Sequence, residues 1–338
     1  MINSTTVSMG KENFFVLLIS SIFLLSGCQQ EKINIPDTGR KIVINGLITT
    51  DTLLNVFISR SDYLLDLSGN GYEYLRDLDS LEVCLYQNND KIDSLYHYKY
   101  YDYDYWKMFN YGNYRSHNVH PLASREYKIV AKGSGFPTAS AVTTIPDLVR
   151  IERVDTSRII LAPGEYYDSN IGLQIKIEFS DPLNETNCYL FRMYMNIYWE
   201  YYGSYIPYYS DVIFFTCQDP IIEEKLTSVN GLEAIAFSDK VINGQRHSLN
   251  IIVKGESIGK PYTDYPESSY SNPRKTLYFK LYSITEEYFS YIQTLHLYSK
   301  NYSNPLLEPV LMNSNVTGGY GMFSGASVSS DSIVFKFE

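Results

Sequence analysis

The chain is 338 residues long, carries a formal net charge of −10, and contains 33 tyrosines against two tryptophans. An acidic chain with no basic run excludes nucleic acid, and simple adhesion to anionic lipid, as expected partners. Its length suits two ordinary domains, and its wealth of tyrosine favours β structure.

Residues 14–25, FFVLLISSIFLL, form an apolar run of signal-peptide length that is too short for a comfortable bilayer span. The run leads into LLSGC at 24–28, small residues followed by Cys28. This pattern resembles the bacterial lipobox, in which the chain is cut before the cysteine and the thiol receives a diacylglycerol. The expected organisation is a lipoprotein signal peptide at 1–27 and a polar tether at 28–39. Acyl chains, at ~0.8 kcal/mol per buried CH₂, would then hold the protein at a membrane without any spanning segment. An ordinary secretory signal with a chance cysteine is the plainer alternative, and Met9 is an alternative start. Gln29 follows the cysteine in place of the aspartate associated with inner-membrane retention. QQEK at 29–32 is similar to the short tags that send lipoproteins to the surface. The expected location is therefore the outer membrane, lipid-anchored, at the cell surface.

Beyond the tether, KIVINGLI (41–48) and LLNVFIS (53–59) predict two strands about a polar turn. SLEVCLYQ (80–87) alternates cleanly and predicts a hairpin with the following segment around Asn88-Asn89-Asp90. REYKIVAKG (125–133) and TASAVTTIP (138–146) predict another about Gly133-Ser134-Gly135. Short strands separated by turn signals point to a β-sandwich over 40–146, with the boundary at IPD, 145–147. Within this half, eight of the twenty residues at 96–115 are tyrosine. Tyr96, Tyr98 and Tyr100 share one parity and Tyr101, Tyr103 and Tyr105 the other, so the aromatic face flips between them. Cross-strand aromatic packing accounts for the pattern plainly. The sharper reading is a partner-binding rim built from Tyr101, Tyr103, Tyr105 and Trp106, since tyrosine gives large contact area with a polar tip.

The second half, 147–338, opens with LVRIERVD and then IGLQIKIEFSDP (171–182), whose Asp-Pro stops the strand. Residues 188–202 and 205–217 predict a long antiparallel pair with Tyr201, Tyr202, Tyr205, Tyr208 and Tyr209 at its tip, a second candidate contact surface. Strands follow at RHSLNIIVKG and TLYFKLYSI. A helix is predicted over 283–300, with Ser283 and Glu286 at capping-box spacing and apolar residues recurring at helical intervals. A Gly-rich loop and the strand SIVFKF complete the reading. The predicted fold is mainly β: two antiparallel β-sandwich-like (Ig-like) domains, with one amphipathic helix in the second.

The stretch LYSITEEYFSYIQTLHLYSKNYSNPLLEPVLMNSNVTGGYGMFSGAS (281–327) carries a Tyr-rich helix, then NPLLEP, then GGYGMFSG. It resembles the ending of the lipoprotein family catalogued as domain of unknown function 4249. IVINGLITTD, REYKIVAKGSG leading into TTIPD, and FSDKVINGQRHSLNIIV are similar to the same family. The resemblance implies a mostly β outer-membrane lipoprotein, often encoded beside a TonB-dependent transporter, and brings no catalytic motif.

Residues offering chemistry are few. TGGYGMFSG could cradle a phosphate through backbone N–H groups, but no Lys-Ser/Thr or helix pattern follows. A tight loop using Gly318, Gly319 and Gly321 explains it. His117 and His120 in HNVH could ligate a metal, yet Pro121 makes this a loop and no third ligand is near. Asp102 and Asp104 could act as paired carboxylates or calcium ligands, although solvation of a strand edge explains them. No nucleophile elbow or CxxC occurs. A non-catalytic protein with no metal and no cofactor is expected. Four Asp-Ser/Thr-aliphatic tripeptides mark Thr52, Ser80, Ser94 and Ser332 as candidate O-glycosylation sites. Cys84, Cys188 and Cys217 are odd in number, leaving at least one free thiol, and Cys188 could pair with Cys217. The functional expectation is an accessory to a TonB-dependent transporter, capturing substrate or gating entry. A stand-alone glycan-binding or adhesion lipoprotein is the alternative, and a hydrolase a distant third.

Overall fold

The computed structural model describes residues 39–61, 78–98, 112–160, 171–183, 185–201, 204–213, 215–217, 219–221, 225–226, 234–254, 271–301 and 310–336. The chain is mainly β. Strand β1 (Ile42–Thr49) alternates, with Ile42, Ile44 and Ile48 turned inward, and pairs antiparallel with β2 (Asn55–Arg60). Strands β3 (Glu82–Gln87) and β4 (Asp90–His97) form the expected hairpin. Asn88 and Asn89 have φ of 50° and 68°, the left-handed pair that matches a hairpin turn to the twist of its strands. The short β5 (Tyr114–Arg115) lies between β2 and β4, and β6 (Glu126–Lys132) and β7 (Ala139–Thr144) form the second expected hairpin.

The remaining strands are β8 (Ile151–Ile160), β9 (Ile171–Ser180), β10 (Cys188–Tyr201), β11 (Ser204–Val212), β12 (Phe215–Cys217), β13 (Lys225–Leu226), β14 (Ala234–Ser238), β15 (Arg246–Lys254), β16 (Ser271–Ile284) and β17 (Tyr320–Lys336). Helix α1 (Glu286–Asn301) lies between the last two. One sheet has 13 strands in the order β13-β14-β10-β16-β17-β1-β2-β5-β4-β3-β6-β7, with β11 also on β10. The other has four, β12-β15-β9-β8. Strands from both sides of residues 146/147 share the large sheet, and Arg40–Glu338 form one compact unit.

Two large cores follow from the alternation. The first gathers Ile44, Val56, Ile58, Val83, Ile129 and Ala141 with Val316 and Phe323. The large sheet curls around this core, and Ser140 and Thr317 exchange backbone hydrogen bonds of 2.9 and 2.8 Å where its end returns. The second lies between the β10–β16 region and the four-stranded sheet and contains Phe179, Phe191, Phe237, Phe279, Ile251 and Leu277. Each fully buried side chain of this size contributes about 1.5–3 kcal/mol. Strand β17 serves both. Residues 320–326 pair in parallel with β1, and residues 326–336 pair antiparallel with β16.

The structure corrects three local expectations. The helix begins at Glu286 with Thr285 as its cap, the hydroxyl accepting the Tyr288 N–H at 3.2 Å. Ser283 is instead part of β16, its hydroxyl accepting the Val149 N–H at 3.3 Å. Phe289 and Ile292 are the helix's buried apolar residues, while Tyr298 is exposed. The Gly-rich stretch expected as a loop becomes strand from Tyr320 onward. Cys188 and Cys217 do not pair: all three described cysteines are free. Cys188 is on β10 in the cluster under the helix, whereas Cys217 is on β12 in the other sheet against the second core.

Candidate functional site

Strand β10 alternates between the two faces of the sheet from Tyr189 to Tyr198. Tyr189, Phe191, Met193, Met195 and Ile197 enter the second core. The opposite parity, Arg192, Tyr194, Asn196 and Tyr198, therefore occupies the other face of the sheet and is half-buried. The neighbouring β16 completes that face in register, with Leu190 opposite Tyr282, Arg192 opposite Lys280, Tyr194 opposite Tyr278, Asn196 opposite Thr276, and Tyr198 opposite Arg274. Beneath α1, Leu190 and Tyr282 close over with Phe289 and Ile292 as a small third core. Beyond the helix the face becomes aromatic and cationic.

The Tyr194 and Tyr278 rings stack at 5.1 Å and 11°. Their neighbours bind one another through polar tips: the Tyr198 and Tyr278 hydroxyls are 3.4 Å apart, and Asn196 Nδ2 donates to Tyr198 Oη at 3.3 Å. Lys280 Nζ lies 5.6 Å from the Tyr194 ring, and the guanidinium groups of Arg192 and Arg274 each lie 5.7 Å from a ring, those of Tyr282 and Tyr198. Such contacts hold a cation without neutralising it. Lys280 is also paired with Asp51 at 2.5 Å. Burial pushes the Lys280 ammonium down, but Tyr282 and Asp51 outweigh it and hold the group above its ordinary value. Hydrogen bonding with Tyr278 and with the Asn196 amide holds the Tyr198 phenol low, whereas hydrogen bonding with Tyr198 and burial hold Tyr278 high.

Two features of this face run against simple packing. Arg192 and Lys280 are like charges directly opposite each other, an arrangement that destabilises a sheet. Arg192 has no carboxylate partner among the described residues. In addition, the buried Arg192 Nε, Asn196 Oδ1 and Thr276 Oγ1 have no hydrogen-bond partner among the described residues. Buried polar atoms are satisfied in the great majority of cases, so three on one face need a reason.

A recess of about 370 Å³ lies beside the first turn of α1, lined by Glu286, Glu287, Ser290, Asn313, Asn315 and Met322. Asn313 donates to Ser290 across it at 2.6 Å, and the acids suit the helix N-terminus.

The sequence-predicted residues are distributed as follows. Cys28, Tyr101, Tyr103, Tyr105, Trp106 and Tyr202, with Asp102 and Asp104, lie outside the described residues. Tyr201 ends β10 opposite Ser204, and Tyr205 lies opposite Glu200 on β11. The register steps between Ile197 and Tyr198, passing over Tyr208. Of the other tyrosine-rich stretch, Tyr96 and Tyr98 are exposed; Tyr98 lies 4.1 Å beneath the Arg115 guanidinium, and Tyr96 packs 4.7 Å from the ring of His117. Thr52, Ser80, Ser94 and Ser332 are all exposed. Asp93 and Asp331 each accept the N–H of the following serine at 2.7 Å.

His117 and His120 are surface residues, with His117 Nδ1 3.5 Å from Asp93. No group of three or more potential metal ligands occurs among the described residues. Asp93 also accepts the Ser116 hydroxyl and the His117 N–H. Burial raises its carboxyl, but these hydrogen bonds prevail and hold it below the usual carboxylate range. In the Gly-rich segment, the Met322 and Phe323 N–H groups are taken by Asn45 Oδ1 at 3.3 Å and Asn315 Oδ1 at 2.9 Å, so these donors serve the fold.

The β10–β16 face was not singled out in the sequence. Its signal is the alternation in CYLFRMYMNIYWEYY and RKTLYFKLYSI, whose polar parity collects Arg, Tyr, Asn and Lys. Among the described residues no helix is long and apolar enough to cross a membrane. Residues 30–332 match the family described as Domain of unknown function (DUF4249), and no curated protein matches the chain.

Proposed function

This chain belongs to the DUF4249 family, and from that premise we propose that it is a non-catalytic, lipid-anchored outer-membrane protein, accessory to a TonB-dependent transporter, that captures substrate or gates its entry. The observation carrying the reading is the half-buried aromatic and cationic face on β10 and β16. It runs along the same strand toward the β10–β11 hairpin, which bears Tyr201, Tyr205 and Tyr208. A face that holds a ligand beside a hairpin that meets a partner is the arrangement a capture protein requires. Tyr101, Tyr103, Tyr105 and Trp106 are proposed as further partner contacts on their sequence pattern alone.

Anchoring is proposed through Cys28, on the apolar run and small residues that precede it. Thr52, Ser80, Ser94 and Ser332 are proposed as surface glycosylation sites, supported by their exposure. The two large cores are read as two sandwich-like, Ig-like domains sharing β17. The alternative, a lipoprotein that binds glycans or mediates adhesion alone, draws on the same face.

The test is affinity purification of the full chain from native membranes. A TonB-dependent outer-membrane protein is expected to co-purify, and the triple change Tyr201→Ser, Tyr205→Ser, Tyr208→Ser to remove it while the melting temperature holds. Recovery of the chain with no outer-membrane transporter would leave the stand-alone reading in its place.

A further inference from the structure

We propose that the β10–β16 face binds an acidic saccharide, with sugar rings against the tyrosines and carboxylate or sulfate groups at Arg192 and Lys280. The proposal rests on the capture reading above and names the class of molecule captured.

The chemistry of the face selects the class. Flat apolar rings at Tyr194, Tyr198 and Tyr278 suit the C–H surface of a sugar, while the hydroxyl tips and the Asn196 amide suit its hydroxyl groups. On β17, Ser330 stands opposite Lys280, is exposed, and extends the same hydroxyl-bearing face. Arg192 and Lys280 bring two like charges together in a chain whose net charge is −10. Asp51 answers one of them, and an acid group on a ligand would answer the other. It would also give the Arg192 guanidinium, whose Nε has no hydrogen-bond partner among the described residues, a charged acceptor. The ladder from Arg192 to Tyr198 spans six residues of strand, roughly 20 Å at ~3.4 Å per residue, with Arg274 at its far end. An extended ligand with repeated acid groups fits that length.

Other polyanions fit less well. A peptide draws affinity from main-chain pairing at a sheet edge, whereas this is the face of strands already paired on both sides. A nucleic acid needs a larger cationic field than three side chains within an acidic chain can supply.

The experiment is calorimetric titration of the mature lipidated chain in detergent with oligogalacturonate, with heparin-derived oligosaccharide as the sulfated arm, and with dextran and poly-glutamate as controls. Ser332 borders the face, so the protein is made in a host that leaves it unmodified. Binding to at least one acidic saccharide, weakening with salt, and no binding to dextran or poly-glutamate are expected. Arg192→Gln and Lys280→Gln should each weaken binding by about ten-fold or more, and Tyr278→Leu measurably. Asp51→Asn should leave binding no weaker, because it removes a competing carboxylate. Melting temperatures identify any variant that has lost its fold, and Arg192→Lys then serves as the milder change, expected to retain part of the affinity. Equal affinity for dextran or poly-glutamate, failure of both acidic saccharides, or wild-type affinity in Arg192→Gln would overturn the assignment. If the transporter still co-purifies in those cases, only the ligand class falls; if it does not, the capture reading falls with it.

Discussion

Gly321 offers a sharp test of how β17 is seated. Its φ of 107° is one that side chains bearing a Cβ rarely adopt, and a Cβ placed there would lie 2.2 Å from the carbonyl oxygen of Ile44 and 2.8 Å from Asn45 Oδ1. Ile44 is its register partner on β1, so neither backbone can retreat without opening the parallel ladder. Strain at such a φ costs about 1–3 kcal/mol. Displacing Asn45 removes the bond that its Oδ1 accepts from the Met322 N–H, worth about 1 kcal/mol, and the backbone contact must relax as well. Gly321→Ala should therefore destabilise by about 3–5 kcal/mol, a large part of the ~5–15 kcal/mol typical of a folded chain. Gly135→Ala is the control: its φ is 80°, but nothing lies within 4 Å of the added carbon, so strain alone operates. Its expected cost is about 1–2 kcal/mol. Urea unfolding of the two variants in a soluble chain lacking residues 1–27 and carrying Cys28→Ala reads the difference. Equal midpoints and slopes would refute the close seating of β17 on β1.

Removing the Asp93 carboxylate should cost about 1–2 kcal/mol at neutral pH, because Asp93 gathers Ser94, Ser116 and His117. Its folded pKa lies below the unfolded value of 3.8, so its contribution is present above that value and is lost as pH falls through the folded pKa. The urea midpoint of Asp93→Asn should fall less than wild type on acidification below about pH 4; parallel curves would contradict this. Phe279→Ala, in the centre of the second core, should cost about 3–5 kcal/mol by chemical denaturation. Reductant should leave the melting temperature unchanged, since the described cysteines are free; a Cys188–Cys217 bridge would instead contribute about 2–4 kcal/mol that reduction removes. Fractionation of Cys28→Ala should find the chain released from membranes or unprocessed, and full retention after cleavage would place the anchor elsewhere.

Local patterns were legible in the sequence. The β3–β4 hairpin could be read because alternation and an Asn-Asn turn sit within a few residues of each other, and β6–β7 because alternation flanks Gly133-Ser134-Gly135. What could not be read depends on distant partners. The Gly-rich stretch looks like a loop until β1 is placed beside it, a pairing that brings Asn45 to Met322 across 277 residues. Ser283 has good capping spacing, but pairing with Tyr189 on β10 claims it for the sheet, and Thr285 caps the helix. Cys188 and Cys217 flank a hairpin in sequence, yet the second cysteine crosses to the other sheet. The β10–β16 face shows both cases at once. Its parity is visible in each strand alone, but that Arg192 meets Lys280 and Tyr194 meets Tyr278 is a fact of register.

Strand β17 also sets the order of events during synthesis. It supplies Phe323 to the first core, packs Ile333 on the second, and hydrogen-bonds to strands that precede it by both short and very long separations. Contacts of such high contact order close slowly, because the intervening chain must first be gathered. A chain moving N-terminus first across a membrane would thus carry β1 through with its parallel neighbour still to come. The first core cannot be sealed until Phe323 has followed, nor the second until Ile333 has. Such a delay would keep an exported chain extended during passage, and it would leave open sheet edges that invite aggregation unless a holding chaperone covered them.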